Sequence, residues 1–217
     1  MSGNATKEPL MENGEATEAC DCASCETRVC REGADCFGLA GQAVAAYEGA
    51  DPSDRNLTRA AAKVEAQGYM KWPRALEIVR FAEAAGFRHL GIAFCIGLAE
   101  EARTCKEFLG QRFRVSSVCC KVCGIPKSRF DLDQIRPDDP GEVLCAPLWQ
   151  AEMLKRAGTE LNILMGLCVG HDALFARHSA APVTTLIAKD RVLGHNPAAA
   201  LYSQYWKQSL LGGGGAR

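Results

Sequence analysis

No run of apolar residues in this chain approaches the roughly 18 to 20 needed to cross a bilayer. The first nineteen residues carry several acids and no apolar core, so they lack the order of a secretory signal. Charge of one sign is missing as well. A formal net charge of -1 gives no electrostatic reason for nucleic acid or an anionic membrane as partner. Neither G-x-G-x-x-G nor a Walker sequence occurs, and Gly166-Leu167-Cys168-Val169-Gly170 is too short to count as a phosphate loop. Histidine is scarce, at 4 residues, which argues against a hydrolytic zinc site. These absences describe a cytoplasmic protein, in a compartment where thiols stay reduced.

Against that background, 12 cysteines stand out. Disulfide staples belong to small secreted domains, and 217 residues with 47% hydrophobic content suffice for an ordinary core. Buried structural thiols are the better bland explanation, because free cysteine packs as a small hydrophobe. That explanation covers Cys105, inside an expected helix, and Cys20 is incidental in a polar tail. It does not cover the clusters at Cys22 and Cys25 or at Cys119, Cys120 and Cys123.

The stretch 1–19 is polar and aperiodic, a disordered leader. An arm at 20–38 follows, with the spacing Cys22-x2-Cys25-x4-Cys30-x5-Cys36 and little large apolar material beyond Val29 and Phe37. An arm without a core needs another organiser. Thiolate-bound metal serves, at about 10–16 kcal/mol of apparent folding energy in small zinc modules. The spacing matches neither the bacterial ferredoxin run nor the paired units of a zinc ribbon. Residues 39–86 form a helical segment: Ala-rich stretches at 39–47 and 57–70, then a helix from Pro73 to about Ala85 with Gly86 as its left-handed stop.

From residue 87 the pattern becomes strand–helix alternation up to 208. Expected strands are 89–94, 113–118, 161–167 and 183–188, with a helix at 98–109, one opened by Cys145-Ala146-Pro147 and running to about 157, one following Cys168-Val169-Gly170-His171-Asp172 to about 178, and a last one capped by Asn196-Pro197 and running through 207. The fold class is α/β, a mainly parallel four-stranded sheet with flanking helices, and 209–217 is a flexible tail. Residues 121–143, with Pro126, Pro137 and Pro140, form an irregular connection long enough to be functional.

Three expected strands run into thiols: Cys95, then Cys119 and Cys120 with Cys123 close behind, and Cys168. In a parallel sheet these lie at the carboxyl edge, where open α/β folds bind ligands. Phe94-Cys95-Ile96-Gly97 is echoed by Leu167-Cys168-Val169-Gly170, each closing a strand and opening a helix, where the dipole favours thiolate. Cys145 and His171 are expected neighbours of this edge, and His195 sits in the turn after the fourth strand, where it either faces the crevice or caps a helix. His89 starts a strand at the far edge and is structural. Lys189 and Arg191 either meet an anion or simply face water. Because successive strand residues point to opposite faces, Cys119 and Cys120 need not serve one site.

The motifs Gly91-Ile92-Ala93-Phe94-Cys95-Ile96-Gly97-Leu98, Ser117-Val118-Cys119-Cys120-Lys121-Val122-Cys123-Gly124, Gly166-Leu167-Cys168-Val169-Gly170-His171-Asp172 and Gly194-His195-Asn196-Pro197-Ala198 together resemble an uncharacterised prokaryotic cysteine-rich family, a domain of unknown function labelled "metal-binding protein". The resemblance runs from about residue 22 to 207. It implies cysteine-ligated metal and no established reaction, and it leaves Cys20 and Cys105 outside the pattern.

Cysteine-dominated ligation favours an iron–sulfur cluster or structural zinc. The expected metal ligands are Cys22, Cys25, Cys30, Cys36, Cys95, Cys119, Cys120, Cys123, Cys145 and Cys168. The expected cofactor is an iron–sulfur cluster of the 4Fe-4S type, with zinc the alternative. The function would lie in electron transfer or sulfur redox chemistry with a redox partner or small molecule. Two other classes compete: a zinc-stabilised interaction module without catalysis, and a dithiol oxidoreductase using Cys120-Lys121-Val122-Cys123. That second pair precedes Gly124 and a proline-broken loop rather than opening a helix, which weakens it.

Overall fold

A computed structural model describes residues 20–212, so the expected leader at 1–19 and positions 213–217 of the expected tail lie outside the described residues. The chain divides into two compact units between Arg59 and Ala60.

The first unit contains the cysteine arm, helix α1 (Ala40–Gly49) and the opening turns of α2 (Pro52–Gly68). Both helices begin at a carboxylate. Asp35 accepts the N–H groups of Leu39 and Ala40 at 3.1 and 2.8 Å. Asp51 does the same for Ser53 and Asp54 at 2.7 and 3.1 Å. Donors left free by the first turn are thereby satisfied beside the positive end of the dipole. No residue of α1 is buried, so its cohesion is local.

The second unit is built on a sheet. Its strands are β1 (His89–Phe94), β2 (Arg114–Cys119), β3 (Leu161–Met165) and β4 (Val183–Ile187), in the order β2-β1-β3-β4. Every neighbouring pair is parallel, as expected for strands that read as apolar runs. Helices α3 (Arg74–Ala85) and α4 (Ala99–Gly110) contribute Ile78, Val79, Ala82, Ala102, Cys105 and Leu109 to one core, against Leu90, Ile92, Leu161, Ile163 and Met165. Helices α5 (Pro147–Ala157) and α6 (His171–His178) contribute Ala151, Leu154 and Phe175 to a second core that includes Ala93, Leu164 and Leu167. Cores on both faces follow from right-handed crossovers: β1 moves one way to β2, and β2 and β3 move the other way.

Gly86 ends α3 at φ 82°, the left-handed stop anticipated from the sequence. His89 is structural, buried and paired through Nε2 with Ser116 Oγ at 2.9 Å. At the open side of the sheet, Arg74 donates to the Thr185 carbonyl at 2.5 Å and to Thr184 Oγ1 at 3.2 Å. A charged side chain thus occupies an acceptor that an edge strand would otherwise offer to another chain.

Several boundaries differ from expectation. β2 is shifted by one residue and includes Cys119. β3 stops at Met165, because Gly166 adopts φ 65° and packs so closely on Leu98 that a Cβ there would strike the Leu98 side chain. β4 likewise ends one residue early, at Ile187. Helix α4 is preceded by a 3-10 turn, Ile96–Leu98, in place of a helix beginning at 98. The expected helix at 196–207 is two helices, α7 (Ala199–Tyr202) and α8 (Gln204–Leu211), with extended backbone at Ser203 between them. Asn196 does not cap through its side chain; its amide donates to Tyr202 Oη at 3.0 Å. Neither helix buries a residue, so no packed face enforces one continuous helix, and α8 extends past the expected start of the tail at 209.

Residues 121–143 remain largely irregular but close on themselves. Pro126 and Val143 form an antiparallel bridge, and Lys127 pairs with Glu142 at 2.7 Å. The Glu142 carboxylate also accepts the N–H groups of Ile135 and Arg136, and these partners hold it below its ordinary titration range, Lys127 foremost.

Candidate thiol centre at the carboxyl edge of the sheet

In the order β2-β1-β3-β4 the connections leave β1 and β3 in opposite directions, so the crevice at their carboxyl ends is the topological switch point. The sequence puts Cys95 immediately after β1 and Cys168 three residues past β3. Cys120 follows β2, and its N–H donates to the Phe94 carbonyl at 2.9 Å. That bond carries the β1–β2 pairing one step beyond its last register pair, Phe94 with Cys119. Cys95 and Cys120 therefore stand side by side. Cys145, just before α5, joins them through Ala146, whose N–H donates to the Cys120 carbonyl at 2.8 Å.

The Cys120 side chain, 2% exposed, is the hinge of the group. It neighbours Cys95 and Cys145, either of which can take its single S–H donor, and its sulfur accepts the Ile96 N–H at 3.3 Å. Lys189 Nζ donates to Cys95 Sγ at 3.3 Å, and Arg191 donates to Cys168 Sγ at 3.0 Å. The electrostatic result is a division of labour. Cys95 is drawn from 9.0 to about 4, first by the hydrogen bond from Cys120, then by the Gly97 N–H and Lys189, with burial opposing. Cys145 is drawn to about 5 by Cys120, with Lys121 and His171 assisting against burial. Cys120 moves the other way and keeps its proton, held between Cys145 and Cys95 and buried.

The cations are themselves held in place. His195, at φ 65°, accepts the Asp190 N–H on Nδ1 at 3.1 Å and donates its own N–H to the Asp190 carbonyl at 2.8 Å. Asp190 Oδ1 accepts the N–H groups of Val192 and Leu193 at 2.9 and 2.8 Å. This turn fixes the base from which Lys189 and Arg191 reach the sulfurs. His195 thus braces the turn after β4 instead of capping a helix. His171 is the first residue of α6 and lies close enough to Cys145 to lower its titration.

The structure therefore gathers Cys95, Cys120 and Cys145, with Cys168 bound to a cation of the same edge. Cys119 is partly buried against the second core, and Cys123 is exposed at the turn that follows. Cys105 is buried in the first core, its thiol pushed up to about 11 by burial, as befits a structural residue. In the arm, Cys25 Sγ accepts the Arg28 N–H at 3.4 Å and contacts Thr27 Oγ1 at 3.7 Å, and these two bonds lower its titration. Cys22, Cys30 and Cys36 are exposed, and Cys36 donates to the Ala34 carbonyl at 3.8 Å. Among the described residues, no three His, Cys, Asp or Glu side chains are grouped as a metal ion would require.

One residue of the edge escaped the sequence reading. Gln150, fully buried in the first turns of α5, donates through Nε2 to the carbonyls of Phe94 at 3.2 Å and Val118 at 2.8 Å. It clamps the ends of β1 and β2 directly beneath Cys95 and Cys120. Its Oε1 is buried without a partner among the described residues. The signal was present: Gln150 lies on the stripe Pro147, Gln150, Ala151, Leu154, the buried face of α5. Gln150→Met, of similar length but without a donor, should lower the unfolding free energy by about 1–3 kcal/mol. The reading is a lower urea midpoint at unchanged slope; an unchanged midpoint would show that the clamp contributes nothing.

Fold and edge together define a parallel α/β protein whose carboxyl crevice is lined with thiols. The chain belongs to the family described as "Protein of unknown function (DUF1847)", matched over residues 36–186, a span that takes in every thiol of the edge. Its relatives include an uncharacterised protein of Methanocaldococcus jannaschii, 43% identical over 193 residues, covering 88% of this chain and 98% of that one. The uncharacterised, cysteine-rich family expected from the sequence motifs is the one found. No solved structure matches. Among the described residues no helix is long and apolar enough to cross a membrane.

Proposed function

We propose that this protein carries an iron–sulfur cluster on the thiols of the sheet's carboxyl edge and acts in electron transfer or in the redox chemistry of sulfur compounds. The observation that carries the reading is the convergence of Cys95, Cys120 and Cys145, from three different loops, on the crevice beside Cys168. What supports the reading is the chemistry of the donors; among the described residues, their side chains are not grouped as a bound metal would hold them. The sulfurs are soft, and two of them are drawn toward thiolate, the form that ligates. Buried thiolates need counter-charge, and Lys189 and Arg191 provide it. The Ile96 N–H bonded to Cys120 is a donor of the kind that tunes cluster potential. Cys119 and Cys123, on the same loop, are the remaining candidates.

Bound there, a 4Fe-4S cluster would supply one-electron chemistry. The protein's part is to hold sulfurs on rigid strand ends, to balance their charge from the turn braced by His195, and to fix β1 and β2 through Gln150.

Cys22, Cys25, Cys30 and Cys36 form a second candidate set, in an arm without an apolar core. Here a zinc-held interaction module is the favoured alternative, because the Arg28 N–H already serves Cys25 Sγ within one turn. The iron, zinc and acid-labile sulfide content of protein purified without oxygen tests both readings. Iron with sulfide supports the cluster, and zinc alone supports the module.

A further inference from the structure

Cys95 and Cys120 directly follow the neighbouring parallel strands β1 and β2, one step past the register pair Phe94 with Cys119. Neighbouring strands lie roughly 4.8 Å apart, and a disulfide spans Cα separations of about 4.4–6.8 Å. The two backbones therefore run within the span of a disulfide here, and the Cys120 sulfur is already turned toward the Cys95–Ile96 peptide, whose N–H it accepts at 3.3 Å. Cys145 is brought to the same thiol by the Ala146 N–H, which donates to the Cys120 carbonyl at 2.8 Å, so that the Cys120 side chain neighbours both Cys145 and Cys95. The three differ in access. Cys95 and Cys120 are 7% and 2% exposed, whereas Cys145 is half-buried and meets solvent. Cys123, the sequence partner of Cys120 in a C-x-x-C spacing, is exposed in the turn beyond.

We infer that, in the metal-free chain, Cys145, Cys120 and Cys95 form a three-thiol relay that reduces small-molecule disulfides and stores the oxidising equivalents as an internal Cys95–Cys120 bond. The Cys145 sulfur attacks one sulfur of the substrate R–S–S–R. A Cys145–S–S–R bond forms, the substrate S–S bond breaks, and the first R–S⁻ leaves and takes a proton from solvent. Cys120 then attacks Cys145 Sγ; the second R–S⁻ leaves with the Cys120 proton, and a Cys120–Cys145 bond stands. Finally Cys95 attacks Cys120 Sγ, the Cys120–Cys145 bond breaks, and Cys145 departs as the thiolate it began as. The sum is R–S–S–R, the Cys95 thiolate, the Cys120 thiol and one solvent proton giving one internal disulfide plus two R–SH. The substrate gains the two electrons that the pair loses, and a dithiol reductant returns the pair. The buried destination protects the product from random exchange, while the accessible entry thiol is regenerated at once. Metal and disulfide claim the same sulfurs, so the relay goes beyond the cluster reading and describes the edge when it carries no metal.

The test uses the full-length chain, reduced, stripped of metal and desalted without oxygen, then mixed with glutathione disulfide and quenched in acid. Free thiols are alkylated after unfolding and the linkages mapped by mass spectrometry. The expected product is a Cys95–Cys120 link with Cys145 alkylated. Cys95→Ser should stop at Cys120–Cys145, and Cys120→Ser should hold glutathione on Cys145. If a variant fails to fold, the wild-type map alone decides. Glutathione found only on exposed thiols such as Cys22, Cys30 and Cys123, with Cys95 and Cys120 both alkylated, would overturn the relay. Because the chain is metal-free throughout, this outcome is independent of whether the edge binds a cluster, which metal and sulfide analysis decides separately.

Discussion

Cys168→Ser should abolish the visible absorption of the edge cluster while leaving the arm's metal in place, and Cys25→Ser should do the reverse. The expectation rests on ligand arithmetic. The edge offers Cys95, Cys120, Cys145 and Cys168, with Cys119 and Cys123 close in sequence, and the arm offers four more; one centre takes four. Cys168 is chosen because a cation already contacts its sulfur: Arg191 reaches it at 3.0 Å from the turn that His195 braces. A serine oxygen at that place keeps the volume but is a poor ligand for iron. Each variant should therefore lose one site's share of metal, measured by elemental analysis beside the spectrum. Simultaneous loss of the same signal in both variants would contradict two separate centres.

Chelation should expose the arm to protease with a change of at least an order of magnitude in cleavage rate. Residues 20–38 bury almost nothing: Val29 is 40% exposed and the short turn Val29–Glu32 contains no buried residue. Arg28 and Gly33 take left-handed φ of 47° and 90°, and the Arg28 conformation strains a non-glycine residue. Metal bound by Cys22, Cys25, Cys30 and Cys36 would contribute about 10–16 kcal/mol, far more than the local hydrogen bonds at Cys25 and Asp35. Trypsin has targets in the arm at Arg28 and Arg31. Cleavage there should be slow in the loaded protein and fast after a strong chelator. Equal resistance in both states would mean that the arm orders itself without metal.

The centre of the sheet was readable because β1 and β3 are buried on both faces and so written as nearly continuous apolar runs; His89–Phe94 emerged with the expected limits. Glycine stops were readable where the backbone must turn left-handed, as at Gly86. Less was legible where cohesion is weak. Nothing in 196–207 announces the extended Ser203, because neither α7 nor α8 has a buried face whose periodicity could be broken.

The same contrast holds within the site. That Cys95 and Cys168 meet the carboxyl edge followed from strand limits alone. That Cys120 turns toward Cys95 and Cys145 rather than toward Cys123 follows from strand order and register, which pair residues far apart in sequence. Gln150 was missed for a related reason: its partners are backbone carbonyls of two strands, and a carbonyl leaves no mark in a sequence. Lys189 and Arg191, readable as either anion-binding or water-facing charges, acquire a role because β4 ends beside the thiols.

The absorption spectrum of protein purified without oxygen, read together with its iron and acid-labile sulfide, tests the central claim most directly. The account predicts a brown protein with broad absorption in the visible, iron and sulfide in equal amounts, and bleaching on exposure to a chelator and oxidant. A colourless, stably folded protein holding zinc alone, with no sulfide, would contradict the cluster and leave the thiol edge to some other use.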